Sequence, residues 1–231
     1  RDGDIILSAN KTVRIPTDYG TLQEAVDAES RFRPLQGVTI DLLIETGHKL
    51  TAGVLLENGN YGHFIISSED SEVTLSSSAF SNATDVVRCE NSVGKVNPAC
   101  GVKRGDVNLQ VFESSTCYAA STIFKNAVTR DWGRNVWISS TSKADMQLSG
   151  GSLASSTPTD CSGAEGRGIY VSRGSLLNFH NGICSGSQTN SNLYVIRSIV
   201  NCQEADLSGA NEFGLFAASS SLVNAKLCNT D

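Results

Sequence analysis

Ser175-Leu176-Leu177-Asn178, Ser198-Ile199-Val200-Asn201 and Ser221-Leu222-Val223-Asn224 carry one pattern at a fixed interval of 23 residues. A period of that length marks stacked supersecondary units, each burying its apolar side on the next. A short apolar run precedes each Asn: Ile169-Tyr170-Val171, Leu193-Tyr194-Val195 and Leu215-Phe216-Ala217. The second run stands one residue nearer its Asn than the other two, so the turn between them varies by one residue. A weaker fourth copy is Val136-Trp137-Ile138 followed by Ser142-Lys143-Ala144-Asp145. Residues 151–161, GSLASSTPTDC, read as a surface loop inserted after it.

Units this short, and this rich in Gly, Ser and Asn, suit strands of about three to five residues rather than helix pairs. They predict an all-β chain wound as a parallel solenoid, with successive coils about 4.8 Å apart. Leucine-rich repeats are the structural rival, but their consensus is absent. Regular repeats are expected over about residues 133–231, within one domain covering residues 1–231. The same spacing shows faintly upstream, where Leu42 and Ile65 stand 23 residues apart and Val73-Thr74-Leu75 follows.

The 231 residues suffice for one sizeable core. A hydrophobic content of 39% and an aromatic content of 6% suit filling by Val, Ile, Leu and Ala. The net charge is −6, the pI is about 5.1, and no basic run exists, so no nucleic-acid partner is expected. No apolar stretch approaches the roughly 18 residues of a membrane span, so no membrane insertion is expected. No signal peptide is visible. The first residue is Arg1 and the single methionine is Met146, so both ends are expected to be cuts from a longer polypeptide. Seven cysteines (89, 100, 117, 161, 184, 202 and 228) fit no zinc spacing. They read as free core thiols, Cys202 sharing a column with Phe179 and Ala225, with a Cys89–Cys100 disulfide as the alternative.

Near the amino terminus, Val13-Arg14-Ile15 reads as a strand stopped by Pro16, and Thr17-Asp18-Tyr19-Gly20 as a turn. Thr21-Leu22-Gln23-Glu24 is a capping box opening a helix over about residues 21–30. Leu22, Ala25 and Val26 form its apolar stripe, which suits a lid over the open end of the solenoid.

The segment from Ile15 to Ala28, IPTDYGTLQEAVDA, resembles the entry motif of pectate-lyase-like right-handed β-helices in phage tail spikes. Gly62-His63-Phe64-Ile65-Ile66-Ser67-Ser68-Glu69-Asp70 and Gly168-Ile169-Tyr170-Val171-Ser172-Arg173-Gly174-Ser175 are similar to tail spikes related to the phage lyases of capsular heparosan. The resemblance implies a single-stranded right-handed parallel β-helix with a short capping helix. It also implies a homotrimer on a virion tail, extracellular after synthesis in the host cytoplasm. The implied partner is an acidic polysaccharide, held on the outer face or between subunits. No catalytic motif of the family transfers residue by residue, and the same solenoid hosts lyases, hydrolases and plain binders.

Cleavage of a uronate polymer by elimination needs three groups: a cation or donor at the carboxylate, a base for the adjacent proton and an acid for the leaving oxygen. Lys103, Arg104, Tyr118, Arg134 and His63 are the catalytic candidates. Asp106, Lys125, Arg130 and Trp132 are the substrate-binding candidates. At the inferred period, residues 103–106 and 125–134 fall on adjacent rungs, where they face one another or stand as solvated turn charges. His63 ranks above His48 and His180 as a base. Hydrolysis needs a carboxylate pair, for which Glu69 with Asp70 and Asp106 with Glu113 are available. Trp137, Tyr170, Tyr194 and Phe216 share a repeat column, which suits packing first and sugar stacking second. No phosphate loop, Ser-His-Asp constellation or metal-ligand cluster is evident, so neither cofactor nor metal is expected.

Overall fold

The computed structural model describes residues 5–70, 72–74, 85–95, 101–103, 107–119, 124–125, 127, 134–146 and 158–231. The chain is mostly β, its sheets are parallel, and its described part has one short helix. The largest sheet has seven strands: β5 (Val54–Glu57), β8 (Asp85–Glu90), β11 (Val107–Phe112), β14 (Arg134–Ile138), β16 (Arg167–Ser172), β18 (Leu193–Ile196) and β20 (Leu215–Ala218). A six-stranded sheet holds β9 (Val93–Lys95), β12 (Thr116–Tyr118), β15 (Lys143–Asp145), β17 (Leu176–Asn178), β19 (Ile199–Asn201) and β21 (Leu222–Asn224). A third line runs from β7 (Glu72–Thr74) through β10 (Gly101–Lys103) to β13 (Phe124–Lys125). It continues as the parallel bridges Asp160–Ile183–Asp206–Asn229, joined to β13 by the Phe124 amide donating to the Asp160 carbonyl at 2.7 Å. From β8 onward the chain visits the three lines in turn and then returns one rung further on.

The register matches the repeat. Asn178 pairs with Asn201 and Asn201 with Asn224, while Asp145 pairs with Asn178 across the insertion. Thr159, Asp160 and Cys161 belong to the third line, so the inserted segment stops short of them; residues 147–157 lie outside the described residues. Upstream, the pairing corrects the expected register by one residue: Leu42 faces Ile66, and Asp41 faces Ile65.

Alternate positions of β11, β14, β16 and β18 line the interior. In the seven-stranded sheet Leu109, Val136, Ile169 and Leu193 fill one buried column, and Val111, Ile138, Val171 and Val195 the next. In the six-stranded sheet the middle residue points in, giving Cys117, Ala144, Leu177 and Val200. Outside stand Leu176, Ile199 and Leu222, and beside them a row of amides. Asn201 donates through Nδ2 to Oδ1 of Asn178, and Asn224 to Asn201, both at 3.1 Å. These asparagines therefore bond to one another along the stack.

The capping role falls to buried asparagines that the repeat does not advertise. Asn135 Nδ2 donates to the carbonyls of Cys161 and Ser162 at 2.6 and 2.8 Å. Asn192 Nδ2 donates to those of Leu207 and Ser208, both at 2.7 Å, while its Oδ1 accepts from the Ser187 amide. Both side chains are fully buried, and each secures backbone carbonyls at a corner of the stack.

Corners between the two large sheets use left-handed backbone. Glu113–Ser114, Ser140–Thr141, Arg173–Gly174 and Ser219–Ser220 turn with two consecutive residues at positive φ. Arg197 turns alone, which is the one-residue shortening seen in the repeat. The corner after the six-stranded sheet places Asn181, Glu204 and Leu227 at φ of 57°, 58° and 61°. Leucine is poorly suited to that region, and Leu227 is 73% exposed, so packing does not compensate. Leu227→Asn is expected to raise stability by about 1 kcal/mol, read as a higher urea midpoint at unchanged slope.

At the amino-terminal end, β2 (Lys11–Ile15), β4 (Ile40–Ile44) and β6 (Phe64–Ser68) form a three-stranded sheet, and β1 (Ile5–Leu7) pairs with β3 (Phe32–Pro34). Helix α1 (Leu22–Glu29) carries the complete Thr21/Glu24 capping box and buries Leu22, Ala25 and Val26 against β2, β4 and β5. Its last residue, Glu29, is buried and accepts from Lys11 Nζ at 2.6 Å and from the Tyr19 hydroxyl at 2.9 Å. Burying that carboxylate is tolerable because both donors meet it. Cys89, Cys117, Cys184 and Cys202 are buried free thiols, Cys228 is a half-buried one, and Cys161 is buried as well. The Cys89–Cys100 disulfide therefore does not form at Cys89; Cys100 lies outside the described residues.

Candidate functional site

The segment from Ser30 to Thr39 and the turn from Asn58 to Phe64 wall a cleft of about 810 Å³. Strand β3 alternates its burial so that Arg33 points outward, and the guanidinium donates to the Ser30 carbonyl at 3.0 Å. The opposite wall is a tight turn. Asn58 has left-handed backbone, the Gly62 amide donates to Oδ1 of Asn60 at 3.0 Å, and the Phe64 amide donates to the Tyr61 carbonyl at 2.9 Å. The Tyr61 hydroxyl donates to the Glu57 carbonyl at 2.8 Å.

His63 lies in that turn, immediately before Phe64. Its carbonyl accepts from the Ile40 amide at 2.9 Å, and its ring lies 4.4 Å from the ring of buried Phe64. Burial, and then the positive charge of Arg33, lowers the His63 pKa below its ordinary 6.5. The imidazole is therefore neutral at pH 7 and able to accept a proton. Its Nε2 is covered and has no hydrogen-bond partner among the described residues. Burial raises the Tyr61 pKa, so its hydroxyl keeps its proton at neutral pH. A cation, a neutral imidazole and a phenol thus line one cleft.

The other candidates scatter. Lys103 in β10 faces Lys125 in β13 across one ladder step, so the adjacency expected of those two segments holds at the backbone. Arg104, Asp106, Arg130 and Trp132 lie outside the described residues. Tyr118 ends β12 of the six-stranded sheet and is exposed. Arg134 begins β14 of the seven-stranded sheet and is buried, its guanidinium 4.6 Å from the Trp137 ring centroid and 4.9 Å from that of Tyr170. Lys103, Tyr118 and Arg134 therefore occupy three different sheets, and His63 stands apart from them in its own cleft.

Trp137, Tyr170, Tyr194 and Phe216 stack in register, with centroids 6.1, 5.5 and 4.5 Å apart. Arg167 adds its guanidinium 4.5 Å from the Tyr194 ring. The ring faces are taken up by neighbouring rings and guanidinium groups, so the row is packing rather than a platform for sugars. Glu69 and Asp70 are occupied too. They accept from the Thr46 amide at 3.1 Å and the Gly47 amide at 2.7 Å, one rung back, and Arg14 reaches Glu69 at 2.9 Å. The Thr46 amide, then Arg14, holds the Glu69 carboxyl below its ordinary value, the reverse of what a general acid requires. Glu113 stands on a left-handed corner, exposed.

Of the three residues that line this cleft, His63 was a candidate from the sequence and Arg33 and Tyr61 were not. The available signal was the turn-forming run Asn58-Gly59-Asn60-Tyr61-Gly62 immediately before His63. Among the described residues no group of three or more His, Cys, Asp or Glu side chains stands together as metal ligands, and no helix is long and apolar enough to cross a membrane. No protein-family model matches the chain, and no curated protein is significantly similar to it.

Proposed function

We propose that the chain is a right-handed, single-stranded parallel β-helix of the phage tail-spike kind. It binds an acidic bacterial capsular polysaccharide and cleaves it by β-elimination at a uronate. The observation that supports cleavage most directly is the cleft joining Arg33, Tyr61 and His63, because elimination calls for those three kinds of group. Arg33 offsets the charge of the carboxylate on C5 and so acidifies the C5 proton. His63 takes that proton as the neutral base. The C4–O bond breaks as the C4–C5 double bond forms, and Tyr61, released from the Glu57 carbonyl, protonates the departing oxygen. The three parallel lines visited in turn support the solenoid reading. The exposed row of Leu176, Ile199 and Leu222 supports assembly of copies into a homotrimer, which sedimentation analysis tests separately.

A non-catalytic receptor-binding module is the second reading. It is favoured by the Tyr61 hydroxyl being held by the Glu57 carbonyl and by the cover over Nε2 of His63. One assay divides the readings: incubation with acidic capsular polysaccharides, heparosan included. Rising ultraviolet absorbance of an unsaturated product is the expected result. New reducing ends without that absorbance indicate hydrolysis, and binding with neither indicates a receptor module.

A further inference from the structure

The last two rungs hold two thiols in contact. Sγ of Cys228 lies 3.8 Å from Sγ of Cys202 and donates to the Cys202 carbonyl at 2.6 Å. The two residues sit on consecutive rungs, since Asn201 pairs with Asn224 and Asp206 bridges to Asn229. Cys202 is buried, whereas Cys228 is only half-buried. The other close pair, Cys89 and Cys117, is fully buried on both sides and closed to any oxidant in solution. The rung carrying Cys228 is also the least packed in the regular stack: β20 and β21 have no fully buried residue, and Leu227 beside the thiol is strained. A small shift there costs less than in the core, and the sulfurs need only close from 3.8 Å to the bonded distance of about 2.05 Å.

We propose that Cys202 and Cys228 form a dithiol switch that oxidation converts into a disulfide stapling the last rung to the one before. Cys228 acts first because it is the accessible thiol, while burial and the neighbouring sulfur hold the Cys202 pKa well above its ordinary value. With oxidised glutathione as the oxidant, Cys228 releases its proton to water and its thiolate attacks one glutathione sulfur, expelling a glutathione thiolate. Cys202 then releases its proton and attacks Sγ of Cys228, expelling the second glutathione. Two protein thiols are oxidised to one disulfide, and one oxidised glutathione is reduced to two thiols. The closed loop spans residues 203–227, so the bond ties the rung of β20 and β21 to the rung before it.

The test treats the whole chain with oxidised glutathione, blocks remaining thiols and digests without reductant for mass spectrometry. The expected result is a Cys202–Cys228 linked peptide pair that reduction separates, together with several-fold slower proteolysis of the chain beyond Ser208. Cys228→Ser, a near-isosteric change at a half-buried position, is expected to lose both. Glutathione remaining on Cys228 with no internal link overturns the proposal, as does a Cys184–Cys202 link or a Cys228 link between two copies.

Discussion

Gly168→Ala is expected to cost about 3 kcal/mol or more of stability. Gly168 stands in a buried column between Asn135 and Asn192. A Cβ there would overlap Sγ of Cys184 and stand 2.6 Å from the carbonyl oxygen of Asn192. That oxygen accepts the Ile169 amide at 2.7 Å, so moving it strains a bond between rungs. Shifting Asn192 also pulls its side chain from the buried Leu207 carbonyl and Ser187 amide and from the half-buried Ser208 carbonyl. Equilibrium urea denaturation reads the change. Cys184→Ala in the same chain is expected to restore only part of the loss, because the backbone clash survives. A loss below about 1 kcal/mol for Gly168→Ala would mean that the rungs separate more readily than close packing allows.

His63→Ala is expected to lower polysaccharide cleavage about 10²–10⁴-fold, the usual worth of a positioned acid–base group, with the circular dichroism spectrum unchanged. The pH dependence adds a readout that a merely structural histidine would not move. The neutral form is the active one, and burial lowers its pKa, so the acid limb of kcat/KM should lie below the ordinary 6.5. The rate falls tenfold per pH unit below that limb. Arg33→Ala removes a charge that lowers the His63 pKa, so the limb should move to higher pH while the cleavage rate itself drops. Cleavage by His63→Ala within twofold of the unsubstituted chain moves the site away from this cleft. Attention then returns to the Lys103 and Lys125 rungs, which face each other along the third line.

Much of the scaffold was legible because its chemistry repeats. Ser, a β-branched or leucine residue and Asn recur at the same place in each rung, and Thr21 with Glu24 forms a local cap that needs no knowledge of the rest. The register slipped at Leu42 because Ile65 and Ile66 are adjacent and equally apolar, and one residue decides which faces inward. The buried Asn135 and Asn192 escaped notice because each answers carbonyls 15 to 27 residues away, contacts that exist only once the rungs stack. The cleft was half legible for a similar reason. His63 was visible as a titratable residue in a strand, but Arg33 lies 30 residues earlier and meets it across two segments. Arg134 was chosen for its charge, and the stack uses that charge to cover Trp137 and Tyr170.

The repeated pairing from rung to rung carries a kinetic consequence. From β8 onward each strand meets the strand one rung before and the strand one rung after, and most of these partners stand 22 to 33 residues apart. Loop closure therefore costs nearly the same at every step, and that cost does not grow as rungs are added. Folding of such a chain proceeds as a zipper from whichever rung forms first, with nearest-neighbour coupling setting how far order spreads.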